Sequence, residues 1–324
     1  MPAALRPLSL GTLLSAGVTL YRSHLKAYFG LSVKAHAWFL GMVVLALFWL
    51  GVMGSFIPLI PEPVLRFLAW LGVGGIALLI VLYGLAKLFT LGAVIARHGF
   101  AELMSQPQSV KTLQTSLKTR LWGFLAIQSL VLIIMLVVSL LLNIGFALVN
   151  MFLSQLVLVF VGGPDSSWLL VLLQLLVNLV IYALYFSVWA RFFIPELSYA
   201  TEPETTILQT IDRSWSLTQR ATLRVLIVIS VLTLMTLPFY VLALTPSFMI
   251  WVTFLSRMIA SFNEPGVAER LVLAAGGAVL LGGVMVGLSG VITMPFWQSL
   301  KAVVYYDLRI RREGMGLQLR DRPS

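Results

Sequence analysis

Few residues in this 324-residue chain are suited to chemistry. There is no cysteine, which excludes disulfides, thiolate metal sites and thiol catalysis together. The three histidines, His24, His36 and His98, stand in segments without metal-ligand spacing, and no Gly-rich loop ends in Lys-Ser or Lys-Thr. Gly72-x-Gly74-x-x-Ala77 imitates a dinucleotide fingerprint, but inside an apolar run with no strand before it. No catalytic residue, metal or cofactor is expected, and the chain reads as a non-enzyme. Lys87 is the one basic residue within a long apolar run. A charge at the bilayer centre costs about 2.5 to 3.5 kcal/mol on insertion scales, so its ammonium is expected to snorkel to water. Asn143, Asn150 and Asn178, with Gln128 and Gln174, are the amides of the middle runs and are expected to join helices. The competing use of Lys87, Asn143 and Asn178 is a polar route for a transported solute.

These side chains need elements to hold them, and composition names the kind. Apolar residues make up 60% of the chain and charged residues only 10%, against roughly 25% charged in soluble domains. About 20 apolar residues are needed to cross the hydrocarbon as a helix that satisfies its own backbone. Six runs qualify, near 37 to 60, 67 to 95, 121 to 149, 168 to 194, 223 to 245 and 271 to 297. The second is long enough to tilt or to project on the charged side. Eighteen Lys and Arg fall on one side of these runs and three (Arg66, Arg257, Arg270) on the other, which places both termini in the cytoplasm. That face nets +10 and is expected to attract anionic lipid headgroups, with Arg22, Lys26, Lys118, Arg120, Arg213 and Arg220 as candidate contacts. The charge is spread along membrane flanks, so nucleic acid is not an expected partner. No cleavable signal is evident in residues 1 to 35, and the first span is expected to act as the anchor.

The charged segments resemble one another. Pro7 and Pro107 each open the pattern Pro-x-Ser-apolar-x-Thr-Leu, one hundred residues apart, and Pro203 opens a looser copy with Glu204-Thr205-Thr206-Ile207. Each predicts an amphipathic interfacial helix capped by its Ser or Thr and followed by two spans. The expected stripes are Leu10, Leu14, Val18, Tyr21, Leu25 and Tyr28 in the first copy, with Thr12, Ser15, Arg22 and Lys26 opposite. Val110, Leu113, Leu117 and Leu121 form the second, and Ile207, Ile211 and Trp215 the third. The fold class is an all-α polytopic membrane protein, one integral domain with repeat units near 1 to 100, 101 to 200 and 201 to 324. The copies end alike in Arg97 and Glu102, and in Arg191 and Glu196, with Lys301 and Asp307 as a weaker version, so inner-face ion pairs are expected there. Residues 151 to 163 suit an interfacial or re-entrant turn, and Pro246 to Arg270 an aromatic segment lying along the outer interface. Gly283-x-x-x-Gly287 predicts a close helix-packing face.

Arg191-Phe-Phe-Ile-Pro-Glu-Leu197, then Ile211-Asp-Arg-Ser-Trp-Ser-Leu-Thr218 and Tyr305-Tyr-Asp-Leu-Arg-Ile-Arg-Arg-Glu-Gly314, resemble stand-alone proteins related to the glycerophosphoryl diester phosphodiesterase membrane domain. The resemblance covers most of the chain. It implies a helical bacterial membrane unit without the soluble hydrolase, which in phototrophs would sit in the inner or the thylakoid membrane. The functional expectation is an accessory or assembly subunit of a larger membrane complex or a lipid-organising scaffold; the alternative is a small-solute or lipid transporter.

Overall fold

The computed structural model describes residues 8 to 160, 166 to 260 and 266 to 313. Every described element is helical: α1 (Leu10–Ser23), α2 (Leu25–Phe56), α3 (Pro63–Leu103), α4 (Val110–Lys118), α5 (Leu121–Phe160), α6 (Ser166–Arg191), α7 (Pro195–Thr201), α8 (Ile207–Thr218), α9 (Thr222–Ala260) and α10 (Val267–Glu313). Six of them are long and apolar enough to cross a membrane. Each short surface helix starts where a hydroxyl satisfies an otherwise unpaired N–H. Ser9 accepts from the Thr12 N–H, Ser109 from the Thr112 N–H, and Thr206 forms a capping box with Gln209. Such a cap is worth about 1 kcal/mol.

The core lies at the end of the bundle that carries most of the basic residues, and the outer halves of the long helices are left bare. Leu13 and Leu20 of α1, Val94 and Ile95 of α3, Leu113 and Leu117 of α4, Phe124 of α5, Leu197 of α7, Val228 of α9 and Tyr305 of α10 share one buried cluster. Leu140, Leu141, Leu175, Leu179 and Leu242 are exposed, an apolar surface of the kind a membrane would cover. Helices α2 and α3 pack closely, and α10 lies against α9, α3, α2 and α1. The α5–α6 pair meets the remainder through α3, α7, α8 and α9.

Several expectations are corrected by helix geometry. The first stripe does not run on to Tyr28, because His24 breaks the helix at φ −117° and ψ 20°. Leu13, Gly17 and Leu20 are the buried face of α1, while Leu25 is exposed and Tyr28 is buried from α2. On α8 the buried positions are Thr210, Ser214, Leu217 and Thr218, and Trp215 is exposed. Small hydroxyl side chains win there because Ser214 Oγ donates to the Arg191 carbonyl at 2.7 Å and so caps the end of α6. Residues 151 to 160 continue α5 instead of turning, and 246 to 260 continue α9 through Pro246; residues 161 to 165 and 261 to 265 lie outside the described residues.

The expected ion pairs within each copy do not form. Arg97 and Glu102 are five apart on one continuous helix, which turns their side chains about 140° away from each other. Arg97 makes no ion pair among the described residues, and Glu102 faces His24 and His98. A helix break after Arg191 separates it from Glu196, so Glu196 pairs with Lys301 while Arg191 lies 4.8 Å over the Trp215 ring. Asp307 likewise takes Arg224 at 2.9 Å, without hydrogen-bond alignment, and Arg311 at 3.0 Å. Asp307 also accepts the Leu8 N–H at 2.8 Å, and the Leu8 carbonyl receives both arginines. The described chain ends therefore meet. Arg213 bridges Glu202 and Glu313.

Removing one member of a buried ion cluster strands the others, at a cost of about 3 to 5 kcal/mol. Asp307→Ala should lower the thermal unfolding midpoint in detergent markedly, whereas the exposed Asp212→Ala should not. Equal midpoints for the two variants would show that the latch carries no stability.

Candidate functional site

A cavity of about 550 Å³ lies among α2, α3, α9 and α10, with Gln128 of α5 and Glu196 of α7 reaching its wall. Its floor is the Glu196–Lys301 pair. Pro195 starts α7 immediately after the break at the end of α6, which turns Glu196 inward until it is 3% exposed. The Lys301 ammonium also lies 5.2 Å over the Phe193 ring. Further along, His36 Nδ1 is 2.9 Å from the Ser32 carbonyl. A carbonyl only accepts, so the proton is on Nδ1 and Nε2 is an acceptor. Tyr240 and Thr293 share a hydrogen bond of 3.0 Å, and the Trp297 indole N–H donates to Thr236 Oγ1 at 3.4 Å. Gln298 contributes an amide whose Oε1 is buried without a hydrogen-bond partner. The two charges cancel, leaving amide, hydroxyl and imidazole groups to address whatever enters.

The cavity wall is mostly apolar, with its polar groups gathered toward the Glu196–Lys301 end, and its other end shares Gly283 and Val286 with an apolar groove of about 480 Å³ between α9 and α10, lined by Leu244, Phe248, Trp251 and Val279. Glycine makes this space. A Cβ on Gly290 would stand 2.4 Å from His36 Nε2, and one on Gly282 would stand 2.9 Å from Ser247 Oγ. At Gly283 a Cβ would meet no atom within 4 Å. Gly283, Gly287, Gly290, Met294, Gln298 and Lys301 follow one another at intervals of three or four along α10, so one face of one helix passes from bare backbone to amide to ammonium.

The residues singled out from sequence divide sharply. Gly283 and Gly287 line the cavity instead of closing a helix contact; only Gly287 has a neighbour, Leu40 at 3.3 Å from its would-be Cβ. Lys87 is held between the rings of Trp38 and Tyr83, at 5.5 and 5.3 Å from their centroids, away from the cavity. Asn143 is exposed and Asn178 half-buried, and both donate to carbonyls of their own helices, of Ser139 and Gln174, at 2.7 and 2.9 Å, instead of to each other across α5 and α6. Of the six basic candidates, Arg22, Lys26, Lys118 and Arg220 are exposed on the surface. Arg120 is spent inside, donating to the Tyr199 carbonyl at 2.7 Å and the Thr205 carbonyl at 3.3 Å while stacking on the Tyr199 ring. Arg213 is spent on Glu202 and Glu313. Sequence reasoning missed His36, Tyr240, Gln298 and the Glu196–Lys301 pair. The graded stripe on α10 was the signal for Gln298 and Lys301; the other partners come from distant segments.

Comparison with family models, with curated proteins and with solved structures gives no match. The functional reading rests on geometry.

The glycines give opposite forecasts. Alanine gains up to about 1 kcal/mol over glycine within a helix, so Gly283→Ala should leave the unfolding midpoint unchanged or raised. Gly290→Ala drives a methyl into His36 and should cost about 1 to 3 kcal/mol. The same sign for both substitutions would refute the packing described at His36.

Proposed function

We propose that this chain is a non-catalytic six-span membrane protein that holds a single amphiphilic lipid, its head in the cavity beside Gln298 and Lys301 and its chains along the groove beside Gly283. The observation that carries this reading is that a cavity with polar groups at one end adjoins an apolar groove at the other, the two sharing Gly283 and Val286 on α10. Binding sites of about 300 to 1,000 Å³ accept a molecule of ordinary ligand size, and a head with chains attached needs this division of polarity. Because Glu196 and Lys301 neutralise each other, the preferred head is uncharged or zwitterionic and rich in hydrogen-bonding groups.

The remaining features fit a lipid-organising role. By the excess of Lys and Arg at one end, that end is cytoplasmic, and the exposed Arg22, Lys26, Lys118 and Arg220 attract anionic headgroups there at about 1 kcal/mol each. Three capped surface helices, α1, α4 and α8, each lead into a pair of long helices, an order that supports a threefold repeat. The resemblance to the phosphodiesterase membrane-domain family belongs to the same reading, a membrane unit without a hydrolase, in a bacterial inner or thylakoid membrane.

The test is native mass spectrometry of protein released in a mild detergent, with extraction of retained lipid. The wild type should carry about one lipid per chain, and Gly283→Trp, which fills open space, should lose it while keeping its unfolding midpoint. Gln298→Leu should weaken retention without changing the apolar groove. Equal lipid retention in all three proteins would remove the cavity as the site. A stoichiometric protein partner in place of lipid would move the function to an accessory subunit.

A further inference from the structure

A second constellation lies away from the cavity, where the α1–α2 break meets the end of α3. His24 occupies the break itself, and His98 and Glu102 are one turn apart on α3. His24 Nε2 and His98 Nε2 each lie 3.9 Å from Glu102 Oε1, and one ligand atom from each residue falls within 4.8 Å of the other two. Two imidazoles thus converge, through the same ring nitrogen, on one carboxylate oxygen.

The opposite ring nitrogens are also held. Ser23 Oγ donates to the Leu20 carbonyl at 3.0 Å, so its lone pair faces His24 Nδ1 at 2.9 Å. His24 must then carry its proton on Nδ1, which frees the Nε2 lone pair for a Lewis acid. His98 Nδ1 is 2.9 Å from the hydroxyl of Tyr28, a fully buried side chain that accepts as readily as it donates. Binding of a cation at His98 Nε2 selects the tautomer in which Nδ1–H donates to Tyr28. An outer hydrogen bond that fixes the ring and its tautomer is the usual support of a metal-ligating histidine. The ring packing is tight as well: His24 stacks on Tyr28 with centroids 5.4 Å apart and meets His98 edge-on at 5.0 Å.

We propose that His24, His98 and Glu102 form a three-ligand site for a divalent transition-metal ion of the zinc class, with its remaining coordination position open to water. Imidazole and carboxylate ligands suit borderline ions such as Zn²⁺ better than the all-oxygen preference of Mg²⁺ or Ca²⁺. Tetrahedral coordination with bonds of about 2.0 to 2.1 Å sets ligand atoms about 3.4 Å apart, so each imidazole nitrogen and the carboxylate oxygen close by about half an ångström on binding, and the two imidazoles, whose ligand atoms lie within 4.8 Å of each other, draw together as well. Glu102 supplies the carboxylate's part, since its side chain is 33% exposed and lies in the last turn of α3, and His24 at the helix break supplies the other. The ion clamps the α1–α2 elbow to α3, a tie between segments 74 residues apart in sequence.

The test uses full-length protein in detergent, carrying no polyhistidine tag and stripped with a chelator, titrated with Zn²⁺ alone by calorimetry. One ion per chain should bind and raise the unfolding midpoint, and Co²⁺ substitution should give the visible absorption of a tetrahedral site. Glu102→Gln keeps the side-chain volume and should weaken binding at least tenfold, as should His24→Ala; Gly283→Ala should leave it unchanged. If His24→Ala fails to fold, the Gln variant and the cobalt spectrum still decide. No heat on titration, or the same affinity in Glu102→Gln as in the wild type, overturns the site.

Discussion

The structure hangs on the carboxylate of Asp307. It is 1% exposed, and a buried carboxylate persists only where cations and N–H groups replace its water. Those replacements come from three parts of the chain: Arg224 from the start of α9, Arg311 from one turn further along α10, and the Leu8 N–H from just before α1. The same requirement recurs next to it. Glu196 is satisfied by Lys301, and Glu202 and Glu313 by Arg213. Lys301 with Glu196, Arg213 with Glu313, and Arg224 and Leu8 with Asp307 join segments distant in sequence. An apolar chain with few carboxylates has thus placed them where helices converge, and the basic end becomes a solid base from which the long helices extend.

That base explains the cavity. Packed side chains fill the space near Tyr305 and Leu300, but further along α9 and α10 the sequence supplies glycine on one helix and three internal prolines across both. Proline removes a backbone hydrogen bond and crowds the preceding turn, and glycine removes the side chain that would otherwise fill a gap. Contacts there include Tyr240 to Thr293 and Ser247 beside Gly282. The Glu196–Lys301 pair belongs to both regions, being a tie of the base and the floor of the cavity. Any group entering the cavity there therefore meets a pair whose charges are already balanced.

What sequence can say about such a chain follows from which interactions are local. The caps at Ser9, Ser109 and Thr206 were legible because a cap is made within four residues, and the six long apolar helices were legible because length and composition alone define them. Helix ends were not, since α2, α5 and α9 continue past the edge of their most apolar stretch. The stripe of α8 misled because an acceptor outside the helix, the Arg191 carbonyl, rewards burying Ser214. Likewise His98 and Glu102 stand four apart in plain view, but the third member, His24, comes from the other side of the first hairpin. The cavity depends on the register between α2 and α10, which brings His36 against Gly290 and has no local signature.

Polar residues within the long helices consequently bond in two ways, back to their own helix or across to another. Asn143 and Asn178 each donate to the carbonyl four residues earlier, at 2.7 and 2.9 Å, as do Thr90, Ser187 and Thr245 with their hydroxyls; Asn150 does the same but leaves its Oδ1 buried without a partner. A group satisfied by its own helix can face hydrocarbon at little cost and needs no neighbour, so its presence says nothing about a pathway. Tyr240, Thr293, Trp297 and Thr236 instead bond between helices, and Gln298 leaves an acceptor buried and unused. An unpaired acceptor costs about 1 to 3 kcal/mol in a protein interior. At Gln298 that cost is carried in the wall of the cavity of about 550 Å³, beside Tyr240, Thr293 and Trp297, whose bonds reach across helices.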